Sequence, residues 1–283
     1  MLILTSPEEM TQWRKNLGDT GISVGFVPTM GFLHEGHASL IRTSTRENSH
    51  TVVSIFVNPT QFTNSEDFEK YPKDKDGDSS LLRALNVEVL YSPSPSAVYP
   101  EGFNTSISAG HIATKLEGKS RPGHFDGVAT VVVKLLNTVN PNNAYFGKKD
   151  RQQLAVIQQV VRDLNLSINV VGQDTVRDHD GVALSSRNSR LTEKQRQAAV
   201  VLPQALRAMI SAFHAGETSS AQLIALGLQV LASEPLCNVD YVVIVDPITM
   251  EEIEFPITAS VICIAATFGA IRLIDNTELS NLV

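Results

Sequence analysis

Cysteine is scarce in this chain. Cys237 and Cys263 are the two among 283 residues, they form no CxxC pair, and no zinc-ligand spacing appears. They read as buried thiols in a reducing compartment, not as a disulfide framework. Positive charge is also short: 23 Lys and Arg stand against 30 Asp and Glu, a formal net charge of −7 with a pI near 5.5. That balance excludes a broad nucleic-acid or membrane-surface footprint, and no such partner is expected. A small anionic ligand needs only a local positive pocket and stays open. Long apolar runs are missing too. The longest, VICIAATFGAIRLI, is interrupted by Arg272 and falls below the ~18 to 20 residues of a membrane helix. The opening MLILTSPEEM has no basic segment before its short apolar start, so no signal peptide is read there and the cytoplasm is expected. Repeats, low-complexity tracts and the GxxxxGK[ST] and GxGxxG phosphate loops are all absent.

What remains is an ordinary globular mixture, 42% hydrophobic and 19% charged, long enough for one large or two modest domains. In the first half, apolar bursts alternate with amphipathic stretches. ISVGFVPT, HTVVSIFVNP, VEVLYSP, NAYFG and LSINVVGQD read as strands. EGHASLIRTSTREN, DKDGDSSLLRALN, GVATVVVKLLNTVN and RQQLAVIQQVVRDLN read as helices. Val- and Ile-rich strands separated by helices argue for βαβ units and a parallel sheet, with ligands at the carboxyl ends of the strands. The pattern changes after about residue 177. A long helical run breaks or restarts near Pro203, a second helix is capped by Ser219 or Ser220, and VDYVVIVDP and SVICIAATFGAIRLID follow as two strands. The expectation is a Rossmann-like α/β domain over 1–177 and a smaller α+β C-terminal domain over 178–283.

VPTMGFLHEGHASL, residues 27–40, sits where a strand gives way to a helix. A glycine turn into a helix N-terminus exposes unsatisfied backbone N–H groups and the positive end of the helix dipole, which suits an anion. His34 and His37, three residues apart, lie roughly 60° apart in helical projection and can face one ligand. Gly31 and Gly36 permit close backbone approach. Three alternatives stand beside a phosphate site with imidazole donors. The histidines could hold zinc with His124, although the HExxH spacing is absent. They could satisfy loop carbonyls. Or the segment could be a generic phosphate loop.

Five ordered segments narrow the choice. PTMGxLHxGH resembles the HIGH-type signature of nucleotidyl-transfer enzymes. With SIFVNPTQF (54–62), RPGHFDGVATVV (121–132), YFGKKDRQQL (145–154) and ALSSRNSRL (183–191), the chain closely resembles the pantoate–β-alanine ligase family, the pantothenate synthetases, over nearly its whole length. The resemblance implies a ligase that cleaves ATP, forms pantoyl adenylate and pyrophosphate, and passes the pantoyl group to β-alanine with release of AMP. It also implies Mg²⁺ travelling with ATP and a homodimer.

By the same resemblance, Met30, Gly31, Phe32, Leu33, His34, Glu35, Gly36 and His37 form the ATP-binding loop. His37 is the proton donor and His34 contacts phosphate. Gly147, Lys148, Lys149 and Asp150 match the family's G-x-K-D segment, with Lys149 near the phosphates. Leu184, Ser185, Ser186 and Arg187 stand at the counterpart of the mobile KMSKS loop, which closes over the site and makes the C-terminal domain a lid. The Val176 backbone meets adenine. Gln61 and Gln153 match the pantoate-binding glutamines, and Gln61 also reaches β-alanine. Asn58 supports that pocket, and Arg121 and His124 hold pyrophosphate or order the neighbouring loop. Three positions depart from the family pattern. Leu184 replaces a common Met, Arg151 a common aromatic, and Gly77 an acidic residue associated with Mg²⁺. Asp76 and Asp78 remain beside Gly77, so the metal need not be lost, but its ligands are left unassigned. Two rivals are a nucleotidyltransferase of the same superfold and a non-catalytic nucleotide-binding protein. Gln61 and Gln153 favour the ligase, because a phosphate acceptor calls for cations there.

Overall fold

The strands of the first half pair as one parallel sheet of six in the computed structural model, which describes residues 1–18, 21–62 and 65–281. They are β1 (Leu2–Leu4), β2 (Val24–Thr29), β3 (His50–Ile55), β4 (Val89–Tyr91), β5 (Asn143–Gly147) and β6 (Asn169–Gln173), in the order β1-β4-β3-β2-β5-β6. Side chains alternate between two cores. Val24, Phe26, Val52, Val89 and Ala144 face one, and Val27, Val53, Leu90 and Tyr145 the other. Burial on both faces is why these strands read as unbroken apolar runs. The Glu35–Glu47 and Lys75–Ala84 helices contribute Leu40, Ile41 and Leu82 to one core. Helices Pro7–Asn16, His124–Val139 and Arg151–Asp163 contribute Met10, Leu136 and Ile157 to the other. His124–Val139 is helical despite its valines. Each valine costs under about 0.7 kcal/mol in helix propensity and gains roughly 1.5–3 kcal/mol on burial.

Strand order reverses beside β2, which pairs with β3 on one side and β5 on the other. The crevice of such a sheet opens at that point, at the carboxyl ends of the strands. The N-terminal strand and the Pro7–Asn16 helix were not anticipated. Their signal is SPEE: Ser6 accepts from the Glu9 N–H, the Glu9 carboxylate accepts from the Thr5 and Ser6 N–H groups, and Pro7 opens the helix.

The chain divides into two compact units, Met1–Gly147 with Gln152–Gln173, and Lys148–Arg151 with Asp174–Val283. The sequence reading set its division after residue 177. The second unit packs helices Glu193–Ala198, Val201–His214 and Ser220–Leu231 on an antiparallel sheet. Its strands are β7 (Cys237–Val245), β8 (Val261–Phe268) and β9 (Ile271–Glu278). The helical run breaks at Ala199–Val200, and Pro203 is the third residue of the next helix, where a missing N–H costs nothing. Ser219 occupies the N-cap of the Ser220–Leu231 helix without a side-chain cap bond, while the Ser220 hydroxyl donates to the Ile253 carbonyl.

One expectation is corrected here. SVICIAATFGAIRLID is not one strand. It contains β8 and the start of β9, joined through Gly269 and Ala270. Gly269 has φ +63°, and positive φ at the first turn residue only is the pattern of a type II′ hairpin. Apolar residues on both sides of the turn concealed it.

The segment after β2 is tethered from a distance. Asp78 lies in the first turn of the Lys75–Ala84 helix, 4% exposed. Its carboxylate accepts the Phe32 N–H at 2.9 Å and the Leu33 N–H at 2.7 Å. Burial pushes its carboxyl above the usual range, and the Leu33 and Phe32 N–H groups pull against that shift. Gly77 has a local purpose: a Cβ there would meet an Asp74 carboxylate oxygen at 2.2 Å, where Asp74 caps the helix through the Gly77 N–H.

Two measurements test these elements. Gly269→Ala places a Cβ at positive φ and is expected to cost about 1 kcal/mol in equilibrium unfolding. Asp78→Ala strands two N–H groups and is expected to cost about 1–3 kcal/mol in denaturant titration, with Asp78→Asn in between because its amide oxygen still accepts.

Candidate active site

β2 ends at Thr29, whose hydroxyl donates to the Ser54 carbonyl at 2.8 Å and accepts the Gly31 N–H at 3.2 Å. Gly31 turns the chain at φ +83°, and Phe32 follows at φ +52°, strained for a residue with a side chain. A Cβ on Gly31 would stand 3.0 Å from Ile55 and 3.1 Å from the Asp78 carboxylate. His34 is then the N-cap of the Glu35–Glu47 helix. Its Nδ1 accepts the Gly36 N–H, and His37 Nδ1 accepts the His34 N–H, both at 3.2 Å. This is the reciprocal logic of a capping box, with imidazoles in place of Ser and Glu. The rings are 4.1 Å apart and tilted by 39°. A Cβ on Gly36 would lie 2.9 Å from the His34 ring, so glycine there makes room for the cap.

An Nδ1 that accepts carries no proton, so a neutral ring holds its hydrogen at Nε2. The expectation that the backbone N–H groups themselves would be left for an anion is corrected. At His34 and Gly36 they are taken by the imidazoles, and at Phe32 and Leu33 by Asp78. Donor capacity passes to Nε2–H instead. Glu35 is exposed and paired with Arg42.

Gln61 is built into the same unit. It ends the Pro59–Gln61 turn, 9% exposed, its amide oxygen accepting from Asn58 at 3.1 Å and its amide nitrogen 3.3 Å from the Met30 sulfur. The structure thus brings Met30 and Gln61 together. Asn58 is buried and also accepts from the Tyr99 hydroxyl at 2.8 Å. The Gln61 carbonyl lies 2.7 Å from His124 Nδ1 and 3.3 Å from Arg121, whose guanidinium lies 3.1 Å from His124 Nε2. His124 therefore secures the Gln61 turn. Gly127 lets the His124–Val139 helix press against that turn, since a Cβ would meet the Thr60 carbonyl oxygen at 2.4 Å. Gln153 is half-buried in the first turn of its helix. Its neighbour Gln152 has a structural task, donating to the Ile112 and Lys115 carbonyls.

Gly147 ends β5, and Lys148–Asp150 form a single tight helical turn in the second unit. Lys149 donates to Asp150 at 3.2 Å. Lys148 donates to Asp174 at 2.8 Å, and that carboxylate holds its ammonium above the ordinary lysine value. Arg151 reaches Glu278 at 3.0 Å. In the same unit Val176 and Leu184 pair: the Leu184 N–H donates to the Val176 carbonyl at 3.0 Å, and Arg177 bridges Ala183. Ser185 caps the Ser186–Arg190 turn, accepting the Arg187 N–H at 3.3 Å.

Two residues that touch these segments had no such contact foreseen from sequence: Asp78, named there only as an acid remaining beside Gly77, and Asn276, not singled out at all. The first lies 45 and 46 residues from its partners Leu33 and Phe32, and the second 127 and 128 from its partners Lys149 and Lys148. Among the described residues no group of three or more His, Cys, Asp or Glu could hold a metal ion. The zinc alternative for His34, His37 and His124 therefore has no geometric support.

Comparison with known proteins agrees along the whole chain. The pantoate–β-alanine ligase family model matches residues 2–278. The pantothenate synthetase of Herpetosiphon aurantiacus is 47% identical, covering 98% of this chain and 99% of its own. That of Heliobacterium modesticaldum is 46% identical, covering 98% of each. The pantothenate synthetase of Thermus thermophilus superposes with a TM-score of 0.93 at 42% identity over 99% of both chains. Pantoate–β-alanine ligase of Francisella tularensis, complexed with β-γ ATP and β-alanine, gives 0.79 at 35% identity over 100% of this chain and 99% of its own. A likeness this complete, in family model, sequence and fold alike, means that the chain belongs to the pantoate–β-alanine ligase family.

Proposed function

We propose that the chain is an ATP-dependent ligase that condenses pantoate with β-alanine. The observation that carries the reading is the pair of capping imidazoles, whose Nδ1 atoms are held by backbone N–H groups so that Nε2 bears the proton. The physical difficulty of the reaction is charge, because a carboxylate must approach a polyanion. The pantoate carboxylate attacks the α-phosphorus, the bond to the bridging oxygen breaks, and pyrophosphate leaves with its electron pair. The β-alanine amine then attacks the acyl carbon of the adenylate, loses a proton, and AMP departs. Donors fixed where negative charge develops are worth several kcal/mol each, and holding the reactants together supplies much of the rest.

Within this reading His37 donates a proton or hydrogen bond to the leaving phosphates, and His34 binds beside it. Lys149 supplies a cation to the phosphates. Met30 to His37, Gly147 to Asp150, Val176 and Leu184 to Arg187 bind the nucleotide. Gln61 and Gln153 hold pantoate, since an amide both accepts from hydroxyls and donates to a carboxylate. The contact of Gln61 with Met30 supports a shared pocket for acid and nucleotide loop. Mg²⁺ neutralises phosphate charge when it enters with ATP. Both Asp78 oxygens are already engaged with backbone N–H groups. A cytoplasmic homodimer is part of the same proposed reading. No described helix is long and apolar enough to cross a membrane.

Two assays test the reading. AMP release is expected only when ATP, pantoate and β-alanine are all present, and AMP formed without pantoate defeats the assignment. His37→Ala is expected to lower turnover by roughly 100-fold or more with an unchanged circular dichroism spectrum. Near-normal turnover removes His37 from the mechanism.

A further inference from the structure

The Lys148–Asp150 turn is only one turn long. A lysine side chain has four flexible bonds, so where its ammonium reaches depends on how firmly its own peptide is fixed. That peptide is gripped from β9. Asn276, 7% exposed, donates from its amide nitrogen to the Lys148 carbonyl at 3.0 Å and the Lys149 carbonyl at 2.7 Å. Both hydrogens of the NH₂ group are thereby used on two consecutive carbonyls.

Asn276 is itself rigidly held. Its backbone N–H donates to an Asp275 carboxylate oxygen at 2.7 Å, and its carbonyl accepts from Arg177 at 3.1 Å. Arg177 in turn forms a two-pronged pair with Asp275, which is 2% exposed, at 2.7 and 2.9 Å. Asn276 also lies in the ladder, opposite Cys263 of β8. Glu278, two residues on, takes Arg151 at 3.0 Å and Lys148 at 3.5 Å. The side chains flanking Lys149 are thus anchored to the strand that holds its carbonyl.

We infer that Asn276 is the positioning residue for Lys149, fixing through two carbonyls the turn that presents its ammonium. Aspartate has no hydrogen to donate, serine has one and alanine none, so asparagine at this length satisfies the pair. The inference rests on the reading of Lys149 as a cation for the phosphates.

A double-mutant cycle on the full chain tests it, with kcat/KM for ATP read from AMP release and folding followed by thermal melts. Lys149→Ala is expected to lower kcat/KM strongly and Asn276→Ala by about tenfold. The double variant is expected to be no worse than Lys149→Ala alone, because the second change acts through a side chain already gone. Fold-changes that multiply overturn the inference, since Asn276 then acts elsewhere. So does a normal Asn276→Ala beside an impaired Lys149→Ala, a result that leaves the reading of Lys149 standing. Near-normal Lys149→Ala defeats that reading instead, and the inference with it. If Asn276→Ala fails to fold, Asn276→Ser, with one donor left, takes its place in the cycle. Loss of fold in both makes Asn276 structural and overturns the inference.

Discussion

Seven backbone N–H groups between Gly31 and Ala38 have acceptors inside the first unit, and the remaining features of the loop after β2 follow from that. Gly31 donates to Thr29, Phe32 and Leu33 to Asp78, His34 and Gly36 to imidazole nitrogens, and His37 and Ala38 to the His34 carbonyl. A helix N-terminus carries a partial positive charge on just such groups. Here that charge is handed to two rings. Each accepting Nδ1 draws density through its imidazole and sharpens the opposite N–H as a donor, the mutual polarisation expected of linked hydrogen bonds. A ring also reaches further than a peptide N–H.

The same accounting explains why the loop tolerates a buried carboxylate. Asp78 would be costly to bury alone, and the two N–H groups it accepts offset that cost. An acidic chain, net −7, also concentrates three cations in the four residues Lys148–Arg151, and it balances Lys148 and Arg151 with Asp174 and Glu278. Local charge is arranged independently of the global balance.

The architecture was legible where burial is two-sided and continuous. The β2, β3 and β5 strands and their helices follow from periodicity, and the motif order pointed to the family. Residues that act across long stretches of chain were not legible, because periodicity carries no information about partners. Asp78 reads as one acid in an acidic run, and Asn276 as one polar residue near a strand end. The β8–β9 hairpin escaped because the apolar signal runs through its turn. The His34–His37 pair was found, but its capping role was not. That role hides in the replacement of Ser and Glu by residues that also accept hydrogen bonds.

Gly127 has a reach beyond its own helix. The helix backbone and the Thr60 carbonyl approach so closely that a single methyl does not fit between them. Where this helix meets the Thr60–Gln61 peptide, the packing is therefore main chain on main chain. Walls made of side chains drift readily as cores are repacked over evolutionary time; a wall of main chain moves only when an entire element shifts. The placement of the Gln61 turn is accordingly a property of the scaffold, and shifting it calls for moving an element rather than exchanging a residue.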